Sequence, residues 1–87
     1  MQTIEEKFAL IFKYMGIPIE QITMEASFVK DLDFEEFQFT CLVYYIGSYF
    51  KINVTHADYP ELTTIGNTIN FVRRKLQVHF RLNEHNA

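Results

Sequence analysis

The sequence predicts an all-α domain: a four-helix bundle with three long helices, one short helix and a long loop between the first two. Three observations carry this. Apolar residues recur at spacings of three and four in three separate stretches. A cap signal stands at the start of each stretch. The 87 residues are 48% hydrophobic, enough for one small folded core. One domain over residues 1–82 is expected, with a frayed tail at 83–87.

The first helix opens at Thr3-Ile-Glu-Glu6, a capping box in which Thr3 and Glu6 satisfy each other's backbone N–H groups. Ile4, Phe8, Ile11, Phe12 and Met15 make one apolar stripe. Gly16 follows as a left-handed cap, and Pro18 blocks continuation. Residues 19–32 read as a long connection with a helical turn near Ile22. Its apolar residues Ile22, Phe28, Val29 and Leu32 imply that it packs down.

The second helix is expected from an Asp33 N-cap to about Phe50, with Glu36 at the third helical position as the capping-box partner. Phe39, Leu42, Val43, Ile46 and Phe50 form its stripe, while Phe34, Phe37, Tyr44 and Tyr45 lie partly outside it. Thr55 is expected to cap a short helix ending near Glu61, kept short by Pro60. Thr64 caps the last helix, whose stripe is Ile65, Ile69, Val72, Leu76 and Phe80.

Composition excludes several classes. Residues 1–61 carry ten acids against four lysines, and residues 62–87 four bases against one acid, for −3 in all. An acidic body argues against nucleic acid, whose phosphates need a positive footprint. The longest apolar run, Cys41 to Ile46, is far short of the roughly 20 residues that cross a bilayer. No secretory leader is visible, so a cytoplasmic chain is expected. The lone Cys41 is expected in the core as a small apolar residue. His56, His79 and His85 lack metal-ligand spacing, and the neighbours Glu35 and Glu36 diverge on a helix. There is no Gly-rich phosphate loop, so no enzyme, cofactor or metal is expected.

With the helices placed, the chain resembles an acyl carrier protein. The resemblance rests on Ile4-Glu-Glu6, Met15-Gly-Ile17, Ile22-Thr23, Phe50, Val54, Leu62-Thr-Thr-Ile65, Ile69 and Phe71. Its most specific part is Ala26-Ser-Phe-Val-Lys-Asp-Leu32. It covers roughly residues 3 to 75 and implies the family's four-helix bundle. It also implies a serine at the start of the second helix carrying 4′-phosphopantetheine through a phosphodiester. At that point this chain reads Glu35-Glu36-Phe37, with Glu36 in the serine position. A carboxylate would form a hydrolysable mixed anhydride, so no arm is expected there. Glu36 is then either a routine helix-start acid or a stand-in for the charge of the phosphodiester.

Partners of the family present basic patches to an acidic second helix. Here the corresponding later positions are Gln38, Cys41, Gly47 and Ser48, with His56 before the short helix. Phe37 and Tyr44 lie seven apart and share a face. The expected contact set is Phe34, Glu35, Glu36, Phe37, Thr40 and Tyr44, with the alternative that several of these rings fold into the core. The expected partner is a protein, an enzyme of fatty-acid or polyketide-type synthesis, with weak self-association in its absence. The alternative function is a working carrier modified at Thr40 or Ser48.

Overall fold

The computed structural model describes the backbone of residues 2–85 and the side chains of residues 2–77. Three α-helices, α1 (Ile4–Tyr14), α2 (Glu36–Phe50) and α3 (Ile65–His85), are joined by two connections. The first contains one 3₁₀ turn, Ile19–Gln21, and the second a six-residue 3₁₀ helix, His56–Glu61. Among the described residues there is no strand, only an isolated antiparallel bridge between Ser27 and Thr64. The expected frayed end and Phe80 fall where side chains lie outside the described residues.

α1 starts and stops as its sequence dictates. Glu6 N–H donates to Thr3 Oγ1 and Thr3 N–H to Glu6 Oε1, both at 3.1 Å. The Thr3 N–H bond holds the Glu6 carboxyl below its ordinary range, helped by the Thr3 hydroxyl. At the other end Gly16 takes φ +77°. Its N–H reaches Lys13 O at 3.1 Å, and Ile17 N–H reaches Phe12 O at 3.0 Å. These two bonds close the orphan carbonyls of the last turn.

The first connection closes the start of α3. Ile65 N–H donates to Ala26 O at 3.1 Å and Gly66 N–H to Met24 O at 2.9 Å. Thr64 Oγ1 takes the next donor, Asn67 N–H, at 3.0 Å. The first three N–H groups of α3, which lack partners inside the helix, are thus all bonded. The connection in turn donates Phe28 N–H to Thr63 O at 3.1 Å. Gly66 is required by this contact: a Cβ there would sit 2.9 Å from Met24 O, a backbone atom that has little room to yield.

α2 begins later than its sequence implies. Asp33 does not cap it; it takes φ +55° in the left-handed region, which Asp tolerates better than most residues. Asp31 and Leu32 N–H both reach Ser27 O, at 3.0 and 3.1 Å, and Phe34 N–H reaches Phe28 O at 2.8 Å. Those bonds hold residues 27–34 as a compact turn, so Glu35 becomes the N-cap and Glu36 the first helical residue, not the third. Gln38 Oε1 accepts the Glu35 N–H at 2.9 Å, which supplies the side-chain-to-backbone bond expected of Glu36.

The core is a chain of phenylalanine rings. Phe50 packs on Phe8, Phe8 on Phe12 and Phe12 on Phe28, with centroids 5.2, 5.7 and 6.4 Å apart. Phe28 then meets Phe34 at 5.0 Å and Phe39 at 5.7 Å. Leu42, Ile46, Leu62, Ile65 and Val72 fill the remainder. The hydroxyl of the buried Thr68 donates to Thr64 O at 2.9 Å, so it carries no unpaired polar group inward. Among the residues whose side chains are described, each of the three predicted stripes supplies the buried side of its helix, and Phe71, off the α3 stripe, is buried as well.

Candidate docking site

The candidate site is the outward side of α2. Its stripe of Leu42, Ile46 and Phe50 is spent on the core, so residues half a turn away face solvent. Phe37 is 74% exposed and Tyr44 71% exposed. Thr40 and Ser48 are exposed between and beyond them. The spacings 37, 40, 44 and 48 place all four on one side of the helix. Thr40 Oγ1 donates to Glu36 O at 3.0 Å, so its hydroxyl is engaged by the preceding turn.

Phe34 corrects the expected contact set. It is 7% exposed and meets Phe39 edge-on at 5.7 Å, which removes it from the surface. The cause is the turn at Asp33, which aims residue 34 inward before the helix begins. Tyr45 likewise packs partly on the core, with Tyr44 edge-on to it at 5.9 Å. Cys41 is half-buried rather than a core residue, because it lies on the flank of the helix between the buried and exposed sides. Glu35 and Glu36 are both exposed at the start of α2, and Lys51, also exposed, closes its far end with φ +56°.

The structure therefore brings Phe37, Thr40 and Tyr44 onto one face and sets Glu35 and Glu36 at its N-terminal end. Ser48, outside the expected contact set, joins that face at its other end. A separate groove of about 700 Å³ lies beside α1, lined by Ala9, Leu10, Ile17, Ile19 and Ile22. Among the described residues no three His, Cys, Asp or Glu side chains gather as a metal site, and no helix is long and apolar enough to cross a membrane.

The chain is 29% identical over 68 residues to the acyl carrier protein of Thermotoga maritima, spanning 78% of this chain and 84% of that one. It is 24% identical over 67 residues to the acyl carrier proteins of Chlamydia trachomatis serovars D and A, spanning 77% of this chain and 87% of each. This chain is similar to acyl carrier proteins over most of its length. No family model matches it.

Proposed function

We propose that this protein is an acyl-carrier-like interaction protein that does not bear a phosphopantetheine arm and is not itself an enzyme. It docks on a cytoplasmic enzyme of fatty-acid or polyketide-type synthesis through the outward side of α2. The observation that carries this reading is the start of α2. Glu36 is its first residue, exposed, at the position where the acyl-carrier resemblance calls for a serine. The phosphodiester of the arm needs a nucleophilic hydroxyl, and a carboxylate does not fit it. Thr40 stands about one turn further on with its hydroxyl engaged by Glu36 O, and Ser48 about three turns on. A transferase fitted to the helix start would reach neither. Exposed Phe37 and Tyr44 support docking by apolar anchors in place of an acidic ladder.

The test is loading. The protein is incubated with coenzyme A and a broad-specificity phosphopantetheinyl transferase, and its intact mass is taken. No change is expected. A gain of about 340 Da, the mass of the arm, would overturn the reading and return the chain to the working carriers. The fragment bearing that mass would then identify Thr40 or Ser48 as the acceptor.

A further inference from the structure

Large and small side chains share the exposed side of α2 in a self-complementary order. Phe37 and Tyr44 are the large exposed rings, Ser48 is a small exposed residue beyond them, and Cys41, between them in sequence, is a small half-buried residue at the edge of that side. Cross a second α2 over the first, antiparallel, with the two-fold axis level with Leu42 and Val43. Phe37 of each copy then lies over Ser48 of the other, and Tyr44 over Cys41. A two-fold contact demands this kind of match, in which each copy supplies both halves.

Charge selects the same arrangement. Glu35 and Glu36 are exposed at the N-terminal end of α2, and Lys51 is exposed at the C-terminal end. Antiparallel crossing sets each acidic end beside the other copy's Lys51. Parallel crossing stacks acid on acid and lysine on lysine. The helix macrodipoles add to the preference, since antiparallel neighbours oppose head to tail.

We infer that a second copy of this chain docks antiparallel on α2, with the rings of each copy seated on the small residues of the other and Glu36 within about two residues of level with Lys51. This rests on the proposed reading that the outward side of α2 is the contact face, and it makes self-pairing a competitor of the docking partner. α2 has 15 residues and is about 22 Å long. One helix laid on another buries less than the roughly 1,200 Å² of a stable interface, so the pair is weak and forms only at high concentration.

The experiment is sedimentation of the full chain over a concentration series, for wild type, Glu36→Lys and Lys51→Glu. Both substitutions are at exposed positions. Wild type is expected to pass from monomer to dimer. Each variant alone places like charges together at two symmetric points and is expected to weaken association about tenfold. Mixing the two variants, or combining both changes in one chain, restores opposite charges at both points and is expected to restore the dimer. Amide NMR shifts that depend on concentration are expected at Phe37, Thr40, Cys41, Tyr44 and Ser48. A chain that stays monomeric throughout would overturn the inference. So would single variants that associate like wild type, a mixture that fails to recover, or shifts centred on Leu10, Ile17 and Ile19. The docking reading fails separately, if binding to a synthesis enzyme is indifferent to Phe37→Ala and Tyr44→Ala.

Discussion

Gly66 decides how closely the first connection can approach α3. Alanine there would gain about 1 kcal/mol in helix propensity. It would also place a Cβ 2.9 Å from Met24 O, where overpacking typically costs about 1–3 kcal/mol. Gly66→Ala is therefore expected to destabilise by up to about 2 kcal/mol in urea unfolding, and a stabilised variant would show that the approach is looser. Glu6 offers a second check. Its carboxyl is held below the ordinary value first by the Thr3 N–H bond, so it is bound more tightly as the anion in the folded state. That contribution is complete above the ordinary carboxylate range, about pH 4.3, and is lost as pH falls through the lowered value. Glu6→Gln keeps the cap but cannot titrate. Its melting temperature is expected to fall less steeply than that of wild type between pH 5 and pH 2.5, as scanned by calorimetry (about those limits). Equal slopes would dismiss the Thr3 bond as the cause.

At the level of the element, the two sides of α2 differ in what they meet: one packs on the core and the other faces solvent. Phe50 on the inner side joins Phe8 at 5.2 Å and sits beneath Lys7, whose Nζ is 5.4 Å from the ring centroid. Truncating a buried Phe costs about 3–5 kcal/mol, most of the stability of a domain this small. Phe50→Ala is thus expected to leave little folded protein by circular dichroism at 37 °C (about physiological temperature). A melting point within a few degrees of wild type would contradict the packing. On the outer side, Phe37→Ala and Tyr44→Ala are expected to leave the fold intact. Each is expected to weaken binding to a fatty-acid-type ketosynthase by about 1–3 kcal/mol in titration calorimetry. That binding is expected to survive high salt, because apolar contact is not screened as charge pairs are. Loss of binding in moderate salt, with both alanines silent, would return the contact to the acidic residues.

At the scale of the whole molecule, the ion pairs among the described residues contribute little to the fold. Arg73 reaches Glu5 and Arg74 reaches Glu61, each at 2.6 Å, tying α3 to the start of α1 and to the short 3₁₀ helix. All four side chains are substantially exposed, so each pair is worth about 0–1 kcal/mol. Replacing both arginines by glutamine is expected to shift the melting temperature by only a few degrees, measured by calorimetry at low and high salt. A large drop, erased by salt, would mean that the pairs matter more than their exposure allows. Apolar burial holds the helices together: the ring chain from Phe50 to Phe39 links α1, α2 and the first connection through Phe28, and Ile65, Ile69, Phe71 and Val72 bring α3 into the same core. Phe28 is fully buried although it lies in no helix.

Much of this was legible in the residues because its causes are local. The Thr3 and Glu6 cap, the Gly16 stop and the Thr64 start act over three or four positions, and spacing alone reveals them. The apolar stripes named Phe8, Leu42, Ile46, Phe50 and Ile69 as core, since a helix has one side to bury. Phe37 and Tyr44 share a face by spacing, but exposure depends on what packs nearby, and the sequence left that open. The start of α2 was misread for a related reason. Asp33 has the chemistry of an N-cap, yet bonds from Ser27 O and Phe28 O draw residues 31–34 into a turn, and the cap moves to Glu35. Capping signals describe a helix that is free to begin where it prefers, and here the preceding segment is already held against α3. Phe34 is buried by that turn, against the neighbouring rings of Phe28 and Phe39. Gly66 is needed because Met24, distant in sequence, is brought against it only by the tertiary structure.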